Sequence, residues 1–184
     1  MGKAKTEFDD PAVRQHVETL EGLLKQYDQT VLELVPVIDE RNGVIASQGN
    51  PTAARAAQLF SEIGAQAKSA RAYKLAAQAF EVNGLFMQAR LSFFKYLKSE
   101  DPADAKNVAS FIDEARGELS ELARIADAPA TKRMCDEARE AFAFYAEKVD
   151  QAVKLVEKRD VLVRETLDKI GPKIVAEGQE VTKV

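Results

Sequence analysis

With 184 residues, 46% of them hydrophobic and 30% charged, the chain suits one soluble helical domain. A domain of that length buries about two-thirds of its unfolded surface. Acidic and basic residues are interleaved to a net charge of −4, which argues against a nucleic-acid footprint, and one cysteine excludes an internal disulfide.

Residues 1–9 read as a disordered start, and residues 10–184 as a single helical domain. The opening Met1-Gly2-Lys3-Ala4-Lys5 is charged with no apolar core behind it, so it is not a signal peptide. No apolar run is long enough to cross a bilayer. Asp10-Pro11 is a helix opening, an N-cap followed by a proline whose missing N–H costs nothing there. The first helix then places Val13, Val17, Leu20, Leu24, Tyr27, Val31, Leu34, Ile38, Arg41 and Ile45 on one seam in alternating steps of four and three. Pro36 should kink it.

Gln48-Gly49-Asn50-Pro51 reads as the first reversal, with a glycine stop, an asparagine cap and a proline start. A second helix follows to about Leu97. Its predicted buried seam is Leu59, Ile63, Ala67, Ala70, Tyr73, Ala77, Phe80, Gly84, Met87, Leu91 and Phe94, with Asn83-Gly84 as a weak point. Asp101-Pro102 opens a third helix carrying Val108, Ile112, Ala115, Leu119, Leu122 and Ala126. Asp127–Thr131 ends it. The fourth helix shows Met134, Ala138, Ala141, Tyr145, Val149, Ala152, Val156, Arg159, Val163, Thr166, Ile170 and Ile174, and Gly171-Pro172 should bend or end it.

The expected fold is therefore all-α, an antiparallel bundle of four long helices. Their unequal lengths leave two arrangements. Either the Gln48–Pro51 hairpin protrudes by ~35 Å at 1.5 Å per residue, or the second helix breaks near Gly84 into a two-storey bundle.

No catalytic motif appears, so the domain is read as non-catalytic. A single histidine, His16, closes the di-iron class, which needs two Glu-x-x-His pairs; no cofactor or metal is expected. His16 adjoins a seam position and flanks the core. Cys135 precedes Asp136 and Glu137, which raise a thiol pKa and make a reactive role improbable. Arg41 and Arg159 sit at seam positions, where a charge needs a partner. Arg90 lies among Phe86, Phe93 and Phe94, and with Tyr145 these complete the candidate ligand-binding set. Ordinary core packing for the aromatics, and ion pairing for the arginines, are the plain alternatives. Phe94 is expected on the buried seam, with Phe86 and Phe93 beside it.

The stretch Arg90-Leu91-Ser92-Phe93-Phe94-Lys95-Tyr96-Leu97-Lys98-Ser99-Glu100-Asp101-Pro102 resembles the helix end and turn of bacterial extracytoplasmic sensor domains. These belong to methyl-accepting chemoreceptors and sensor histidine kinases, where the turn reads Leu-x-(Ser/Thr)-Gly-Asp; Glu100 replaces the glycine. Arg164-Glu165-Thr166-Leu167-Asp168-Lys169-Ile170-Gly171-Pro172-Lys173-Ile174 resembles the segment leading such domains back to their second membrane helix.

The resemblance implies a periplasmic helical bundle between two transmembrane helices of an inner-membrane protein. It also implies a homodimer that binds a small molecule, often an organic acid, and signals by helix displacement. The long seams would place that dimer along the first and fourth helices. A cytosolic helical scaffold or amphipathic coat protein of the phasin type is the alternative.

Overall fold

The computed structural model describes residues 10–183; the expected disordered start at 1–9 lies outside them. The described residues form an all-α bundle with no strand. Six α-helices run α1 (Pro11–Gly43), α2 (Asn50–Ser69), α3 (Tyr73–Ser99), α4 (Pro102–Ile125), α5 (Pro129–Asp160) and α6 (Asp168–Thr182). A π-helical segment, Val44–Gly49, joins α1 to α2 without a break, and a second, Val161–Leu167, joins α5 to α6. The backbone thus makes four continuous helices. It divides into a four-helix unit (Arg41–Val156) and a two-helix unit made of residues up to Glu40 and from Glu157 onward.

The predicted reversal at Gln48–Pro51 is not there. Pro51 has no N–H to give and its ring crowds the carbonyl one turn back, which normally breaks a helix. Here the register widens just before it, and the Asn50 N–H reaches back five residues to Ile45 O. The Thr52 hydroxyl donates to Gln48 O at 2.7 Å, so that carbonyl is not orphaned. The helix also continues through Gly171-Pro172, which neither ends nor interrupts α6, and through Pro36 in α1.

The first reversal comes instead at Ala70–Ala72. Ala72 N–H donates to Ala67 O at 2.8 Å and Arg71 sits in the left-handed region at φ 60°. That is a Schellman-type stop with arginine where glycine is favoured. A β-carbon in this conformation costs about 1 kcal/mol. Arg71→Gly should therefore raise stability by up to about 1 kcal/mol, seen as a higher denaturant midpoint. Part of that gain is lost because glycine also frees the unfolded chain.

The break at Ala70–Ala72, not at Gly84, rephases the helix that follows. The core face of α3 is Ala76, Ala79, Val82, Phe86, Ala89, Phe93 and Tyr96. The predicted seam holds up to Ala67 and then turns outward: Tyr73, Phe80, Met87, Leu91 and Phe94 are exposed. Phe94 and its neighbours thus exchange places, Phe86 and Phe93 being buried and Phe94 half-exposed. In α4 all six predicted seam residues are buried.

The centre of the four-helix unit is aromatic. Phe86 meets Phe60, Phe142 and Tyr145 edge-on, with ring centroids 5.7, 5.9 and 5.1 Å away. Alanines at Ala56, Ala79, Ala89, Ala115 and Ala138 are fully buried, and their small size lets the helix backbones close around those rings.

The turn from α3 to α4 is tied down by one buried carboxylate. Asp104 accepts from Lys95 Nζ at 2.7 Å and Ser99 Oγ at 2.6 Å. Glu100 takes the left-handed position at φ 56°, and Asp101 caps α4 by accepting from Ala103 N–H at 2.8 Å. The hydrogen bond from Lys95, then that from Ser99, holds the Asp104 carboxyl below its ordinary 3.8. A depressed carboxylate stabilises in full above that value and loses its contribution as pH falls through the lower folded value. Thermal melts of Asp104→Asn should therefore lie below the parent at neutral pH, and the two curves should converge below pH 3.8.

In the two-helix unit the predicted seam of α1 is buried at Val13 and Val17 only; Leu24 is exposed, and farther along burial shifts by one residue, to Thr30 and Val37 in place of Val31 and Ile38. His16 Nδ1 lies 2.7 Å from Glu177 Oε2, flanking the core as expected.

Candidate anion crevice at Arg90

Four of the seven sequence-selected residues meet in one place. Arg90, Phe93 and Phe94 from α3 and Tyr145 from α5 line a crevice closed by Val44, Ile45, Gly49 and Asn50 of the first π segment and its border, and by Lys148 and Val149. Phe86 lies directly beneath, its ring centroid 6.0 Å from the Arg90 guanidinium carbon. The sequence explains the convergence: residues 86, 90, 93 and 94 succeed one another in helical steps, and Tyr145 and Lys148 are three apart on α5.

The electrostatics favour an anion. Arg90 is half-buried, its Nη1 facing the Met87 sulfur at 3.8 Å. Among the described residues no carboxylate lies within ion-pair range of it. Lys148 is 12% exposed and bonds Glu147 Oε1 at 2.8 Å, with its ammonium 4.8 Å from the Phe144 ring. Two cations therefore share the crevice with a single outward carboxylate on one of them. Burial pushes the Tyr145 hydroxyl far above its ordinary 10, and Arg90 only partly offsets this. The hydroxyl stays protonated at physiological pH and is available as a donor.

The crevice is narrow. Its volume of ≈10 Å³ holds one water, so a carboxylate ligand enters only if a wall moves. Phe94, half-exposed at the mouth, is the most exposed of its apolar walls. The first π segment forms the opposite wall, and π-bulges are frequent at functional sites. A larger groove of ≈470 Å³ lies between α4 and α5, but Asp113, Glu147 and Asp150 on its rim outnumber Arg116. That rim repels an organic acid.

The other two arginines fall elsewhere. Arg41 donates from Nε and Nη2 to its neighbour Asn42 at 3.2 and 3.0 Å and does not line the crevice. Arg159 belongs to the two-helix unit, 17% exposed and paired with Asp160. Sequence reasoning missed Lys148 and the π segment. Lys148 adjoins the seam residue Val149, which is the one signal that could have found it. Cys135 is buried, and burial followed by Asp136 raises its thiol pKa, in keeping with an inert residue.

Among the described residues no group of His, Cys, Asp or Glu could hold a metal, and no helix is long and apolar enough to cross a membrane. No protein-family model matches the chain, and no curated protein is significantly similar to it.

Proposed function

We propose that the chain is the extracytoplasmic sensor domain of a membrane signal transducer, a sensor histidine kinase or chemoreceptor, and that it binds a small carboxylate in the Arg90 crevice. The observation that carries this reading is the half-buried guanidinium with no carboxylate partner, facing Lys148 and a protonated Tyr145. Two features support the signalling part. The crevice is walled by long helices, α3 and α5, so a small shift of one helix past another is the movement that binding would drive. Glu100 adopts the left-handed backbone that the glycine of such turns would take. In this reading the domain is non-catalytic and sits in the periplasm.

The reading requires hydrophobic segments of about 20 residues on both sides of this sequence in the full-length protein. Sequencing the flanking coding DNA tests it, and polar flanks on either side overturn it. The outward apolar stripe of α3 favours a second reading, an amphipathic coat protein of the phasin type. Adsorption to apolar droplets, abolished by charges in that stripe, would support that reading instead.

A further inference from the structure

Helix α3 is apolar on two opposite faces. Its inner face is the core; its outer face carries Tyr73, Phe80, Met87, Leu91 and Phe94, which are 67, 49, 47, 71 and 48% exposed. Between them stand Ala77 and Gly84, so the outer residues follow one another in steps of four and three over the whole helix. A helix apolar all round is a buried helix. Phe80 packs inward against Gly64, its ring lying where a Cβ would be, 2.8 Å away, and Phe94 borders the Arg90 crevice, yet both stay about half exposed.

We propose that a second copy of this chain docks on this stripe, pairing α3 with α3 about a two-fold axis. This does not rest on the sensor reading, and it is a different face from the first and fourth helices that the sequence suggested. Size is the first argument. At about 200 Å² per large side chain the five exposures amount to roughly 550 Å² of apolar surface. That lies at the upper end of the about 300–600 Å² of a typical monomer's largest apolar patch, a patch that is often functional. A stable interface buries roughly 800 Å² per partner, so the polar flanks of the stripe would have to supply the remainder.

Self-complementarity is the second argument, because a two-fold interface must match itself. With the two helices antiparallel, Ala77 of one copy meets Phe94 of the other, Gly84 meets Met87, and Phe80 meets Leu91. Two of these three layers set a small residue against a large one, as knobs-into-holes packing needs. Gly84 is the third argument. It stands in mid-helix, where glycine is unfavourable, and an added Cβ would meet nothing within 4 Å among the described residues. A helix approaching from outside gives that notch a use. A lipid surface has no use for notches.

Sedimentation equilibrium of the chain tests this, with Leu91→Glu and Gly84→Leu as variants. The chain should dimerise at micromolar concentration, and each variant should weaken association at least tenfold. Gly84→Leu should do so while keeping or raising the melting temperature measured in dilute solution, because it improves helix propensity. Each copy carries a net charge of −4 and the stripe itself is apolar, so added salt should not weaken the dimer. Electrostatic adsorption to phosphatidylglycerol vesicles would respond oppositely. A parent that stays monomeric at tens of micromolar overturns the proposal. So does association unchanged in both variants, or a stripe that is buried only when vesicles are added.

Discussion

Phe86→Ala lowers stability by about 3–5 kcal/mol, the largest effect expected of any single truncation here. The side chain is fully buried, so its removal loses the transfer free energy of a phenyl ring and leaves a cavity. Three edge-on aromatic partners, Phe60, Phe142 and Tyr145, lose their contact at once. Each such pair contributes about 0.5–1.5 kcal/mol beyond area. Denaturant unfolding followed by circular dichroism reads this as a lower midpoint with an unchanged native helical spectrum. Phe94→Ala is the matched control: half-exposed, it should cost less than about 1.5 kcal/mol, well short of a core phenylalanine. Had the seam through Phe94 been the core face, the order would be reversed.

With the proposed carboxylate in the crevice, Arg90→Ala should weaken its binding by about 10- to 150-fold, the equivalent of roughly 1.5–3 kcal/mol for a charge-assisted hydrogen bond. A planar guanidinium offers two parallel donors to a carboxylate, and the apolar wall of Phe86, Phe93 and Phe94 keeps water from competing. Stability should hardly change, because the residue gives up only a sulfur contact and a distant ring contact, and no ion pair among the described residues. Calorimetric titration separates this from a structural role, which would lower the melting temperature and leave affinity intact. Phe94→Ala should shift binding too, since it opens the mouth of the crevice.

The parts of the fold that the sequence showed are those where one signal stood alone. The α4 seam is apolar on one face only, and all six residues are buried. Asp10 and Asp101 cap their helices as their position before proline implies, accepting from Ala12 N–H at 2.7 Å and Ala103 N–H at 2.8 Å. Misreadings arose where two signals competed. Glycine, asparagine and proline at 49–51 have the chemistry of a turn, yet a π-helical register absorbs the proline within a continuous helix. The actual turn has neither glycine nor proline, because Arg71 accepts the left-handed conformation itself.

Helix α3 misled for a similar reason. Its outer stripe of Tyr73, Phe80, Met87, Leu91 and Phe94 has larger side chains than its core stripe, where three of the seven residues are alanine. Residue size therefore pointed to the wrong face. Backbone closeness at the core, which alanine permits, carries no signal in hydrophobicity alone. Of the candidate site, Arg90, Phe93, Phe94 and Tyr145 were legible because they share two helix faces. Lys148 and the π segment were not, because their approach depends on tertiary packing.

A thermal-shift titration of the parent chain and of Arg90→Ala with small mono- and dicarboxylates at neutral pH tests the anion crevice most directly. Ligand at a hundred times its dissociation constant stabilises the folded state by about 2.7 kcal/mol. The anion-site reading predicts a saturable rise in melting temperature with at least one acid, lost in the variant. No rise with any acid, or an equal rise in parent and variant, would contradict it.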